Sequence, residues 1–121
     1  MAPVHVSQAH MAPLGITFYD GEAFDFADGS NSSFAFVTFH GSWNRSPAAG
    51  YRVDLFDFRK FNSEQGGVYS FPFLERDGSE ASGTDWIRPV QSAVAKCPFG
   101  DCLYVTDDYH GNLIAIGKYD G

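Results

Sequence analysis

The sequence is short of several things that would identify its partners quickly. Basic residues are few, 8 Lys and Arg against 15 Asp and Glu, for a formal net charge of -7 and a pI near 4.7. Nucleic acid and anionic membrane surfaces select for a basic footprint, so neither is expected as the main partner. No apolar run approaches the roughly 18 residues that a spanning helix needs. No P-loop, dinucleotide fingerprint or Ser-His-Asp order is present, which removes the commonest nucleotide and acyl-transfer readings. No stretch carries a convincing helical period. Met1 to Gln8 have neither a basic end nor a continuous apolar region, so they do not read as a secretory signal. On that ground the chain is expected to be intracellular or to lack its true N-terminus.

What is abundant points to strands and turns. Aromatics make up 17% of the 121 residues, led by 12 Phe, alongside 13 Gly, and good helix formers are scarce. Length allows one domain with a real core. Short aromatic or β-branched runs bounded by turn residues predict strands over Leu14–Tyr19, Phe34–Phe39, Tyr51–Phe58 and Val68–Leu74. Tyr51, Val53, Leu55 and Asp57 are expected on one face of the third strand, with Arg52, Asp54, Phe56 and Phe58 on the other. Pro72 makes the fourth an edge strand. After a polar loop over 76–85, three more are predicted at Val90–Ala95, Leu103–Asp107 and Asn112–Gly117.

Four strands, a loop and three strands match one complete propeller blade at residues 8–75 and an incomplete one at 86–119. Two blades cannot close a ring. The expected fold is therefore all-β, a partial β-propeller forming a single region over residues 1–121, the C-terminal piece of a longer chain. A seven-stranded sandwich is the competing architecture.

Chemistry concentrates at the end of the second strand, in Phe39-His40-Gly41-Ser42-Trp43-Asn44-Arg45. A histidine, a tryptophan, an amide and a guanidinium delivered together at a strand end suit a ligand pocket. Alternatively, Trp43 caps the core edge with Arg45 stacked upon it. Cys97 and Cys102 flank a Pro- and Gly-containing hairpin turn, so a local disulfide is expected, with two free thiols as the alternative. A bridge would mean an oxidising compartment. A zinc site would need two further ligands close by. Asp107-Asp108 near Gly111-Asn112 read as hairpin carboxylates accepting turn amides rather than as calcium ligands, and His110 as a solvated turn residue. Asn31-Ser32-Ser33 is a credible glycosylation sequon; Asn44-Arg45-Ser46 precedes Pro47 and is discounted.

Three segments, Gln8-Ala9-His10-Met11-Ala12-Pro13-Leu14-Gly15, the His40–Arg45 motif and Trp86-Ile87-Arg88-Pro89-Val90, resemble the closing blades of pyrroloquinoline quinone (PQQ)-dependent sugar dehydrogenases. The likeness is to the fungal pyranose dehydrogenase and bacterial sorbosone dehydrogenase branch, and it covers nearly the whole chain. It implies a six-bladed, secreted oxidoreductase that uses PQQ with calcium. The remaining blades would supply most of the calcium site and the general base. It implies a sugar substrate and a separate electron acceptor, a b-type cytochrome in the fungal branch. It points to His10, His40, Trp43, Asn44, Arg45 and Arg88 as cofactor-binding residues, with Trp86 more suited to packing. PQQ is flat, electron-poor and carries three carboxylates, so guanidinium groups and flat side chains suit it. The alternatives are a non-catalytic propeller remnant and a small secreted β-sandwich binding module.

Overall fold

A computed structural model describes residues 1–19, 34–76, 86–98 and 100–117. Seven strands run as β1 (Pro13–Tyr19), β2 (Phe34–Phe39), β3 (Arg52–Asn62), β4 (Gly67–Leu74), β5 (Pro89–Cys97), β6 (Gly100–Asp107) and β7 (Asn112–Gly117). They form one four-stranded sheet, β1-β2-β3-β4, and one three-stranded sheet, β5-β6-β7, with every neighbouring pair antiparallel. No α-helix occurs among the described residues. The sequon at Asn31 and the loop expected over 76–85 lie largely outside the described residues.

β5 and β6 run a few residues longer than the sequence expectation, and β3 departs from it at both ends. β3 runs on to Asn62, through Arg59 and Lys60, which are polar but extended. Its far end is finished by a 3-10 turn at Ser63–Gln65, where Asn62 accepts a hydrogen bond from the Glu64 amide at 3.1 Å. Tyr51 is not the first residue of β3. Its φ of 61° is left-handed, which no strand accepts, so it forms a corner before the strand. Among the strands β4 pairs with β3, with one further bridge from His5 to Gly67, and Pro72 lies within it, as an edge permits.

Strand alternation sorts the side chains of the first sheet into two layers. Phe34 and Phe36 from β2, Val53 and Leu55 from β3, and Tyr19 from β1 face the second sheet. There they meet Leu103 and Val105 of β6. Burying each of these large side chains is worth roughly 1.5–3 kcal/mol, so this layer dominates cohesion. The opposite face buries Ala35, Phe39, Phe56 and Val68 beneath Met11 of the N-terminal segment. That segment is tied down by Val6 N donating to Gly66 O at 3.0 Å. On the same face Ile16 and Phe18 remain exposed.

The edge strands β1 and β5, with Thr38 of β2 and Asp101 of β6, join the two sheets along a polar seam. Thr38 Oγ1 donates to Val90 O at 2.7 Å and accepts from Gly15 N at 2.9 Å. Thr17 Oγ1 donates to Ser92 O at 2.6 Å, and the Tyr19 hydroxyl donates to Asp101 Oδ2 at 3.2 Å. The approach is too close for a side chain at Gly15: a Cβ there would lie 2.9 Å from the Val90 carbonyl oxygen. The register shift between Pro13 and Gly15 takes the Gly15 amide out of the regular ladder, and Thr38 supplies its acceptor.

Candidate functional site

Antiparallel pairing brings distant segments to one end of the two sheets. The start of β1 pairs with the end of β2 (Pro13 with Phe39), and the start of β5 pairs with the end of β6 (Pro89 with Asp107). The loops before β1, after β2, before β3, before β5 and after β6 therefore crowd together. His40 N donates to Ala12 O, Gly41 N to Met11 O and Ser42 N to Ala49 O, all at 2.9 Å.

This end also holds the strained backbone. His10, Ala12 and Tyr51 all have positive φ, at 70°, 57° and 61°. Each such residue costs about 1–3 kcal/mol and persists only where its surroundings enforce it, a pattern that clusters at binding sites. The enforcement of Tyr51 is visible. Its hydroxyl donates to Ser42 O, and its ring lies on Gly41, where a Cβ would sit 2.5 Å from a ring carbon. Its own carbonyl accepts from Trp86 Nε1 at 2.8 Å, so Trp86 acts by packing and bonding behind the site.

The Ser42–Ala49 loop closes on itself, with the Ala49 amide donating to Ser42 Oγ at 3.0 Å. Trp43 and Asn44 stand at its tip, and Trp43 is 85% exposed. Trp43 therefore does not cap the core edge. Arg45 is half-buried, and its Nη2 lies 2.8 Å from the Gln8 carboxamide oxygen once that amide is oriented to face its donors.

Arg88 is the centre of the arrangement. Its Nη2 donates to Gly41 O at 2.8 Å and its Nε to His40 O at 3.3 Å, while the guanidinium carbon sits 5.2 Å from the Tyr51 ring centroid. His40 in turn places Nε2 3.0 Å from Asp108 Oδ2. The Asp108 amide donates back to Arg88 O at 3.0 Å.

The turn that presents Asp108 is built on Asp107. Its buried carboxylate accepts from Arg88 N at 2.9 Å and Tyr109 N at 3.1 Å, and pairs with His110 Nδ1 at 2.9 Å. Burial pushes this carboxyl up, but the Arg88 amide, the His110 ring and the Tyr109 amide outweigh it and leave its pKa below the ordinary value. The expectation of a carboxylate accepting turn amides describes Asp107. His110 is not simply solvated, because it is bonded to that carboxylate.

Of the six residues singled out from sequence, His40 and Arg88 are brought into direct contact through the His40 carbonyl. Trp43, Asn44 and Arg45 share the loop that follows His40. His10 is exposed and lines a cavity of about 420 Å³ with Met11, Ile16, Val37, Phe39 and Phe58, on the face turned from the second sheet. Cys97 and Cys102 are bridged, with Cα atoms 5.9 Å apart, at the opposite end of β5 and β6. No group of three or more His, Cys, Asp or Glu side chains suited to a metal ion occurs among the described residues. Sequence reasoning passed over three participants: Gln8, Tyr51 as a corner, and Asp108 as a partner of His40. The pair His40 and Asp108 is separated by 68 positions, and nothing in local spacing announces it. Together the end presents guanidinium donors, an imidazole, a carboxamide and an exposed indole face, a set that suits a flat anionic ligand.

A family model described as TrAA12-like matches residues 1–119. An uncharacterized protein of Borreliella burgdorferi is 32% identical over 114 residues, covering 93% of this chain and 27% of its own length. The holo form of the pyranose dehydrogenase PQQ domain from Coprinopsis cinerea superposes with a TM-score of 0.57 at 22% identity, covering 96% of this chain and 29% of that one. An iodide structure of a Trichoderma reesei carbohydrate-active enzyme of family AA12 gives 0.54 at 25% identity, over 93% and 26%. The chain thus spans between a quarter and a third of the length of these relatives.

Proposed function

The chain belongs to the TrAA12-like family, and from that premise we propose that it forms the closing blades of a PQQ-dependent sugar dehydrogenase. AA12 is a family of PQQ-dependent oxidoreductases, and the solved structures this chain resembles are propeller-type PQQ domains. The finer reading is that residues at the shared loop end form part of a cofactor wall, and that a pyranose or sorbosone-type sugar is the substrate. The rest of the propeller, calcium and a b-type cytochrome as electron acceptor belong to the same proposal. So does an extracellular location, which the Cys97–Cys102 bridge supports, since disulfides persist in oxidising compartments.

The observation that carries the proposal is the convergence of Arg88, His40 and the Trp43–Arg45 loop at one end of both sheets. The residues present fit the cofactor. Arg88 commits Nε and Nη2 to backbone carbonyls, which fixes its plane and leaves Nη1 to donate to a carboxylate. Arg45 adds a second guanidinium, held by Gln8. Asn44 offers a donor and an acceptor for quinone or carboxylate oxygens. The indole of Trp43 is exposed and free to lie against a flat ring. When bound, PQQ supplies the hydride-accepting carbon of a sugar oxidation. The part of this chain is to bind and orient it, and the general base would come from the blades outside it.

Titration of PQQ with calcium into the full-length protein, followed by absorbance, tests the reading. Arg45→Ala and Arg88→Ala should each weaken binding by about 1.5–3 kcal/mol, the worth of a charge-assisted hydrogen bond. Unchanged affinity in both variants removes the site assignment. A non-catalytic propeller remnant is the second reading. It is favoured by the fact that Arg88 and the His40 ring already have partners within the chain. It predicts no PQQ binding to the wild-type protein.

A further inference from the structure

We propose that Asp108 is the positioning residue of His40. It holds the imidazole as the Nε2–H tautomer and so presents Nδ1 as an acceptor to a hydrogen-bond donor of the ligand. This deepens the proposed function and, for the identity of the ligand, rests on it.

The chemistry follows from one contact. His40 Nε2 lies 3.0 Å from Asp108 Oδ2. A carboxylate has no proton to give, so the proton of this bond sits on Nε2, and in the neutral ring the lone pair is left on Nδ1. Nδ1 has no hydrogen-bond partner among the described residues, and the side chain is 19% exposed. An oriented acceptor therefore stands at the edge of the cluster that also holds Arg88 and the Trp43–Arg45 loop.

Both ends of the pair are anchored to the same residue. Arg88 Nε binds the His40 carbonyl, and the Arg88 carbonyl binds the Asp108 amide. His40 N is fixed to Ala12 O, and the turn carrying Asp108 is fixed by Asp107. The Asp108 carboxylate itself is 64% exposed. An exposed pair contributes only about 0–1 kcal/mol to stability. The contact is therefore ill suited to holding the fold and well suited to setting the direction of a ring whose backbone is already held. The group that Nδ1 would accept is a hydroxyl or N–H: a sugar hydroxyl, or the pyrrole N–H of PQQ.

The test uses the full-length protein with ¹⁵N-labelled histidine and long-range ¹H–¹⁵N correlation, which reports the tautomer directly. Wild-type protein should show His40 as Nε2–H. Asp108→Asn should keep that pattern, because its amide oxygen still accepts. Asp108→Ala should lose the exclusive Nε2–H pattern and give exchange-averaged ring shifts of a tautomer mixture, with the urea midpoint unchanged. A wild-type Nδ1–H pattern, or an unaltered pattern in Asp108→Ala, overturns the assignment. The ligand is resolved in two additions. A change at Nδ1 on adding PQQ with calcium assigns the donor to the cofactor, and a change only after glucose follows assigns it to the substrate. No change at either addition overturns the acceptor role. Asp108→Ala should weaken the ligand so assigned by about fivefold to tenfold, the worth of one hydrogen bond, and Asp108→Asn should restore it. Failure of wild-type protein to bind PQQ overturns the proposed function, while the tautomer pattern still decides the role of Asp108.

Discussion

Replacing Asp107 by Asn tests how the site end is held, because it removes a charge while preserving shape. The carboxylate is 3% exposed and takes two backbone amides on Oδ1 and the His110 ring on Oδ2. The Asn oxygen can still accept both amides. What disappears is the charge assistance on those bonds and the acceptor facing His110. A charge-assisted bond is worth about 1.5–3 kcal/mol and a neutral one about 0.5–1.5, so the gross loss over the two amide bonds is about 2–3 kcal/mol, and the contact with the partly exposed His110 ring adds little. Neutralising a buried carboxylate returns part of its desolvation cost, which leaves a net loss of about 1–2 kcal/mol at pH 7.

The pH dependence gives this prediction its edge. In the fold the Asp107 carboxyl sits below its ordinary value of 3.8, so near that pH the unfolded chain binds more protons than the native one. Its contribution is fully present above the unfolded value and is lost as pH falls through the folded one. Asp57 has the same sign, held down by the Arg59 side chain. Asp54 has the opposite sign: burial raises it despite Arg52, so its contribution declines as pH rises through its folded value. These terms are common to wild type and variant and cancel in the difference. Urea unfolding of the two proteins from pH 8 downward should therefore give curves that are separated at neutral pH and meet in acid. Parallel curves down to the acid limit would refute the role assigned to the charge of Asp107.

Thr38→Val keeps the shape of a fully buried side chain but strands the Gly15 amide and the Val90 carbonyl, for a loss of about 2–4 kcal/mol. Thr38→Ser should recover most of it in urea titrations, and a Val variant within 0.5 kcal/mol of wild type would count against the seam, on the usual scale of neutral surface changes, about ±0.5 kcal/mol. Gly41→Ala puts a Cβ 2.5 Å from the Tyr51 ring at a φ of 102°, so it should destabilise by about 1–3 kcal/mol and weaken the proposed PQQ binding by displacing the Arg88 acceptor. An unchanged melting temperature and unchanged PQQ affinity in that variant would argue against the packing of Tyr51 on Gly41.

Most of the architecture was legible because most strands are runs rich in aromatic and β-branched residues, set off by turn-forming residues. The four-plus-three order of strands follows from that punctuation alone. The misses have local causes. Arg59 and Lys60 hide the last four residues of β3, because a polar edge reads as a loop. Tyr51 favours strands by composition, and its left-handed corner is imposed by contacts with Gly41 and Ser42 from a preceding loop. At the site, a histidine and arginines next to strand ends were visible, but their partners were not. Arg88 spends two of its donors on carbonyls 47 and 48 residues away. A sequence shows which groups are available and says little about which bonds they form first.

Those long-range bonds bear on what the site depends upon. The two sheets adhere through the apolar layer of Phe34, Phe36, Leu55, Leu103 and Val105, whose attraction is strong but non-directional. Such a layer tolerates small shifts of one sheet over the other. The seam along β1 and β5 does not, since Thr38–Val90 and Thr17–Ser92 lose their bonds within a few tenths of an ångström. His40 comes from the first sheet, and Arg88 and Asp108 come from the second, so their relative placement inherits the precision of the seam. Removing a methylene from the apolar layer, as in Leu103→Val, should therefore lower stability while leaving PQQ affinity near wild type. Thr38→Val should lower both. Equal effects of the two variants on affinity, once matched for stability, would mean that the core rather than the polar seam sets the geometry of the site.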